Sequence, residues 1–176
     1  GGGRNDEKGY VQVYTGNGKG KTTAALGLAI RAAGAGMSVF IAQFAKSGPF
    51  SELVSLKNLG DSVVIRQYGG NDFLSLPASQ NDINRAHAGL KEVRSILITG
   101  KYRLIILDEA NIATHFNLFS PEELLEVIRA KPSHVELVIT GRNADPLIVE
   151  YADLVTDMQA VKHYYDFGVQ ARKGIE

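Results

Sequence analysis

The chain has no cysteine and no tryptophan, and only two of its 176 residues are methionine. Without cysteine there is no disulfide framework, no thiolate nucleophile and no Cys-ligated metal. Net charge is also missing: 19 basic residues balance 19 acidic ones, which removes any general attraction to nucleic acid or to a membrane surface. No apolar run approaches the ~20 residues of a membrane span. The opening stretch Gly1–Lys8 lacks the apolar core of a signal peptide, so a cytoplasmic location is expected, with neither nucleic acid nor membrane as a partner. Residues 1–8, with their Gly1-Gly2-Gly3 start, are expected to be a disordered or artificially appended leader. Residues 9–176 are expected to form a single domain, large enough for a sizeable core.

What is present is an alternation of short apolar runs with helical patterns. The runs predict strands at Tyr10–Tyr14, Ser38–Phe44, Ser62–Gln67, Arg103–Leu107, Val135–Thr140 and Leu154–Thr156. Helices are predicted near Thr22–Ala35, Ser51–Leu59, Asn81–Thr99, Pro121–Lys131 and Pro146–Tyr151. The helix at Pro121 is the best marked, with Ser120 as N-cap, proline in the first turn and Glu123 completing a capping box. Such alternation implies an α/β fold: a mainly parallel sheet flanked by helices. Tyr68–Gln80 has weak periodicity and many turn residues, and loops of that length in compact domains are often functional.

Between the first strand and the first helix lies Thr15-Gly16-Asn17-Gly18-Lys19-Gly20-Lys21-Thr22-Thr23. A strand, a Gly-rich turn, Gly-Lys-Thr and a helix form the P-loop arrangement for nucleotide phosphates. Gly16, Gly18 and Gly20 let backbone N–H groups, with those of Asn17 and Thr23, converge on phosphate oxygens. Lys21 adds a full charge at the positive end of the helix, Lys19 adds a second, and Thr22 supplies a hydroxyl where such loops hold Mg²⁺. The general pattern opens on glycine, and here that position is Thr15. The plainer alternative is an ordinary Gly-rich turn with solvated lysines.

A second element is Leu104-Ile105-Ile106-Leu107-Asp108-Glu109, an apolar run ending in two carboxylates. A central parallel strand leaves its carboxyl end at the ligand crevice, so Asp108 and Glu109 resemble a Walker B element that helps to hold Mg²⁺. A third polar cluster, Thr140-Gly141-Arg142-Asn143, follows another buried strand; Arg142 can reach a phosphate or a ribose, or simply close a turn. Arg31, on the helix after the loop, faces either the site or solvent. His87, His115, His134 and His163 have no metal-ligand spacing.

The stretch Tyr14–Ala25, including the Thr15 departure, resembles the loop of P-loop-type corrinoid (cobalamin) adenosyltransferases. So do Gln43-Phe44-Ala45-Lys46, Leu107-Asp108-Glu109, Ile139-Thr140-Gly141-Arg142, Ala152-Asp153, Val161-Lys162-His163 and Phe167–Ile175. The resemblance implies a P-loop NTPase fold of the RecA-like sort, and transfer of the 5′-deoxyadenosyl group of ATP to the cobalt of a reduced corrinoid, with release of triphosphate. It implies that Lys19, Lys21, the loop amides and Mg²⁺ stabilise the leaving triphosphate, and that Thr22, Asp108 and Glu109 lie around the metal, Glu109 being the better candidate of the two carboxylates. Arg31 and Arg142 are expected as further nucleotide-binding residues. An aromatic in a corrinoid-facing loop is implied to displace an axial cobalt ligand. The family often has a Gly-Phe-Thr-Trp-like stretch there, whereas this chain has Gly69-Gly70-Asn71-Asp72-Phe73, which leaves Phe73 as the wedge and Tyr68 as a weaker alternative. A homodimer and a reduced flavoprotein donor are also implied. Two other functions compete: a P-loop ATPase using Glu109 to activate water, and a non-enzymatic nucleotide-sensing module.

Overall fold

In the computed structural model, residues 7–45, 51–70 and 74–176 are described. Six strands form one sheet: β1 (Val11–Thr15), β2 (Val39–Gln43), β3 (Val63–Gln67), β4 (Leu104–Asp108), β5 (Glu136–Thr140) and β6 (Leu154–Asp157). Their order is β3-β2-β4-β5-β1-β6, and all five pairings are parallel. Among the described residues six α-helices connect or follow them: α1 (Lys21–Gly34), α2 (Ser51–Lys57), α3 (Gln80–Ile98), α4 (Ala110–His115), α5 (Pro121–Arg129) and α6 (Pro146–Tyr151).

The central strands β2, β4 and β5 are apolar along most of their length because both sheet faces are covered. Alternate residues divide between two cores, as the period of two requires. Val39, Ile41, Leu104, Ile106 and Val138 pack with Ala25, Ala29 and Ala32 of α1. Phe40, Ala42, Ile105, Leu107, Leu137 and Ile139 pack on the other face with residues of α3, α4, α5 and α6. The alanine stripe of α1 brings that helix close to the sheet and sets its first turn above the ends of β4 and β5.

Each of the six strands ends in a polar residue: Thr15, Gln43, Gln67, Asp108, Thr140 and Asp157. The register aligns them, with Gln43 opposite both Gln67 and Asp108, and Thr15 opposite Asp157. The carboxyl edge of the sheet is therefore a polar row above an apolar slab. In open parallel sheets that edge is where ligands bind. The strand carrying the Gly-rich loop, β1, is separated from β4 by β5, so the end of β5 lies between the loop and the paired carboxylates.

Strand and helix boundaries agree with the sequence expectation to within a residue or two, and the capping box of Ser120 and Glu123 is formed. The exception is α4. Six residues starting from a left-handed Glu109, which caps with no side-chain hydrogen bond, give no sequence signal for a helix.

Candidate functional site

Thr15 is the last residue of β1, and its hydroxyl accepts the Ala144 N–H at 3.2 Å. A hydroxyl at the place usually given to glycine therefore tethers the turn after β5 to the start of the loop. Gly20 has φ +121, a conformation open to glycine, and leads directly into α1. Gly16 and Gly18 carry a second constraint. A Cβ on Gly16 would lie 2.4 Å from the Met158 carbonyl oxygen, and one on Gly18 2.7 Å from the same atom. The backbone leaving β6 thus presses against the loop. The Gly18 N–H donates to Met158 O at 2.6 Å, and Asn17 Oδ1 accepts the Ala160 N–H at 3.2 Å. Sequence reasoning assigned these glycines to phosphate approach alone; the contact with residues 157–160 is long-range and left no local signal.

Lys21 is buried, 8 % exposed, and its Nζ donates to Gly18 O at 2.6 Å. Burial and the neighbouring Arg142 lower its pKa, while Glu109 opposes them. Lys21, Arg142 and Glu109, read separately from three segments, thus share one electrostatic neighbourhood. Arg142 itself is exposed, just past Gly141, whose carbonyl accepts from Asn111 Nδ2 at 3.0 Å. Asn111, fully buried on α4, holds the Arg142 turn in place, a role sequence reasoning missed because α4 was unseen.

Thr22 Oγ1 donates to Asp108 Oδ1 at 2.9 Å, and Thr140 Oγ1 donates to the same oxygen at 2.6 Å. Asp108 is 4 % exposed. Burial pushes its carboxyl above the usual carboxylate range, against the pull of Thr140, Thr22 and Gln43, which hydrogen-bond the ionised form. Glu109 adopts φ 62, ψ 18, and its N–H donates to Thr140 Oγ1 at 2.9 Å.

The donor set fits Mg²⁺. Among the described residues there is no group of three or more His, Cys, Asp or Glu that could cage a metal. Mg²⁺, however, takes few protein oxygens and completes its shell with water and substrate phosphates. A hydroxyl and a carboxylate already in contact beneath the phosphate loop suit that manner of binding.

Lys19 is more exposed and faces away from this cluster. Its Nζ donates to Ile175 O at 2.9 Å and lies 3.4 Å from Glu176 Oε1. It also lines a cleft of about 490 Å³ with Gln159, Lys162, His163 and Tyr164. Arg31 is exposed in the last turn of α1, roughly 15 Å of helix rise from Lys21; the fold does not bring it to the loop within this chain. Phe73 and Lys46 lie outside the described residues. Tyr68, half-buried, packs its ring on Phe44, with centroids 5.5 Å apart, and its side chain fills the space above Gly89, which holds it against the core.

A parallel sheet with this loop and carboxylate pair defines the P-loop NTPase fold. A solved structure with the same architecture is the ATPase EscN of the enteropathogenic E. coli type III secretion system, with a TM-score of 0.51 and 13 % identity, covering 86 % of this chain and 43 % of that one. Within that class, residues 7–176 match the family model for ATP:corrinoid adenosyltransferase BtuR/CobO/CobP, and the chain belongs to that family. It is 36 % identical to the corrinoid adenosyltransferase of Pseudomonas aeruginosa over 172 residues, 97 % of this chain and 85 % of that protein. It is 33 % identical to the corrinoid adenosyltransferase CobA of Salmonella typhimurium, covering 97 % and 87 %, and 32 % identical to a Sinorhizobium corrinoid adenosyltransferase, covering 98 % and 82 %.

Proposed function

We propose that this protein transfers the 5′-deoxyadenosyl group of ATP to the cobalt(I) of a reduced corrinoid and releases inorganic triphosphate. The observation that carries the reading is the family match across residues 7–176, in a chain whose loop, Thr22 and Asp108 are assembled at one edge of the sheet.

In this reaction the cobalt(I) electron pair forms a bond to C5′ of the ribose, the C5′–O bond breaks, and its electrons leave on the triphosphate. Cobalt is formally oxidised to cobalt(III). No proton has to be removed from a nucleophile, so neither carboxylate is needed as a base. The requirement is instead to stabilise charge developing on the leaving group. Lys21 and the loop N–H groups from Gly16 to Thr23, apart from that of Gly18, which is taken up by Met158 O, are suited to that, with Arg142 close by. Mg²⁺, when bound, would neutralise phosphate charge; Thr22 would hold it, with Asp108 and Glu109 shaping its surroundings. Asp108 Oδ1 already accepts two hydroxyl protons, which fits an orienting role better than a basic one. Lys19 lies on the outer side of the loop and would serve the distal phosphates.

Phe73 is proposed as the side chain that displaces an axial cobalt ligand before reduction. A homodimer, a reduced flavoprotein donor and a cytoplasmic location complete the proposal. Among the described residues, no helix is long and apolar enough to cross a membrane.

The test is anaerobic incubation with ATP, Mg²⁺ and chemically reduced cobalamin. Appearance of the light-sensitive cobalt–carbon product supports the reading. Hydrolysis of ATP without that product would replace it with an ATPase.

A further inference from the structure

The side chain of Thr140 sits where the two halves of the site meet. It is fully buried at the end of β5, between the loop strand β1 and the carboxylate strand β4. Its hydroxyl is used in both directions: the proton goes to Asp108 Oδ1 at 2.6 Å, and the oxygen accepts the Glu109 N–H at 2.9 Å. One atom therefore orients a carboxylate through its side chain and the next residue through its backbone.

The second bond matters because of the backbone it holds. In an extended strand, successive side chains point to opposite faces, so Asp108 and Glu109 would be separated by the sheet. Here Asp108 contacts Thr22, and the charge of Glu109 is felt at Lys21, the neighbour of Thr22 in the first turn of α1. The left-handed turn at Glu109 makes that possible, a conformation that non-glycine residues adopt rarely. It is held from two sides: by Thr140 through the Glu109 N–H, and by α4 through the Glu109 carbonyl, which accepts the Ala113 N–H at 3.1 Å. The register fixes Thr140 itself, since the Gly141 N–H donates to Tyr14 O at 3.1 Å beside the loop strand.

We infer that Thr140 is a positioning residue for the metal–nucleotide site: its hydroxyl sets the geometry of Asp108 and Glu109 together, and so the affinity for Mg²⁺ with ATP. The inference rests on the proposed nucleotide reading but does not depend on the corrinoid step. Val is nearly isosteric with Thr and puts a methyl group in place of the hydroxyl, leaving Asp108 and the Glu109 N–H each short of a buried partner. Ser keeps the hydroxyl and removes only a methyl group.

The experiment is calorimetric titration of ATP without corrinoid, across a range of Mg²⁺ concentrations, on the parent protein, Thr140→Ser and Thr140→Val, with a thermal melt of each. For Thr140→Val, the Mg²⁺ concentration giving half-maximal ATP binding should rise about tenfold to a hundredfold, the scale of losing hydrogen bonds at a buried charge. Thr140→Ser should stay within about threefold of the parent, a packing effect of under one kcal/mol. If Thr140→Val does not fold, Thr140→Cys takes its place, since a thiol of similar size is a weak donor and a weak acceptor. An unchanged Mg²⁺ requirement in a folded Val or Cys variant would overturn the inference, as would equal impairment of Thr140→Ser. If the parent binds Mg²⁺ and ATP as described but forms no adenosylated corrinoid, the functional reading fails and the role of Thr140 stands.

Discussion

The Thr22 hydroxyl donates to Asp108 Oδ1 at 2.9 Å, joining the first turn of α1 to the end of β4 across the position occupied by β5. Two segments 86 residues apart in sequence are thereby placed at one phosphate-binding edge. The same oxygen accepts from Thr140, so the carboxylate is oriented before any nucleotide arrives. Preorganisation of this kind suits a reaction whose main demand is stabilising a departing polyanion.

The burial of Asp108 predicts a trade between stability and function. Its folded pKa is raised, so the folded state binds the proton more tightly than the unfolded chain does, and ionisation at neutral pH costs stability. Asp108→Asn removes that cost while keeping an oxygen to accept from Thr22 and Thr140. Melting in the presence of a chelator should show the variant more stable than the parent above the folded pKa. The advantage should shrink as pH falls towards the ordinary carboxylate range and vanish below it. A variant less stable than the parent at neutral pH would contradict this.

Glu109 predicts a similar trade through the backbone. A left-handed non-glycine residue costs roughly 1–2 kcal/mol, partly offset in a glycine variant by the entropy glycine loses on folding. Glu109→Gly should therefore melt above Glu109→Gln by a few degrees, up to about 4 °C for a chain of this size. Both should transfer poorly, and worse at low Mg²⁺ than at high. If Glu109→Gly melts below Glu109→Gln, the turn is not strained as described.

Gly18→Ala should weaken ATP binding and lower the melting temperature together. The new methyl group would lie 2.7 Å from Met158 O and 2.8 Å from Gln159 C, and must push the strap after β6 away from the loop. Gly27→Ala is the control, because a Cβ on Gly27 meets nothing within 4 Å in mid-helix; it should hold or raise stability. Equal behaviour of the two variants would remove the packing argument.

Much of this was legible in the sequence, and the reasons differ from part to part. Buried parallel strands such as Val39–Gln43 and Leu104–Asp108 announce themselves as apolar runs bounded by polar residues, and Gly-Lys-Thr at a strand-to-helix junction is local in sequence. Asp108 and Glu109 were legible as a pair but not in their different roles, because those follow from a left-handed turn that no residue type at Glu109 signals. In the sequence Thr140 is only the start of a polar cluster in which Arg142 is the candidate. Its importance comes from β5 lying between β1 and β4, a matter of strand order. The strap at residues 157–160 and the Lys19 contacts with Ile175 and Glu176 are likewise tertiary. Arg31 had a helix but no helical phase, and whether it faced the loop could not be read from the residue alone.

Phe73→Ala tests the proposed wedge. With cobalt(I) supplied by a strong chemical reductant, transfer should be close to that of the parent; with a weak flavoprotein donor reducing bound cobalt(II), it should fail. Equal impairment in both assays would point to a loop that no longer packs and would remove the wedge.

The central claim is that the triphosphate leaves as one piece in exchange for a cobalt–carbon bond. The direct measurement is the product ratio in a single anaerobic reaction with ATP, Mg²⁺ and excess cobalt(I) corrinoid, with phosphate species separated chromatographically and adenosylcorrinoid quantified by absorbance. The account predicts one triphosphate for each adenosylcorrinoid, and neither product when corrinoid is omitted. ADP and phosphate formed at the same rate with or without corrinoid would contradict it.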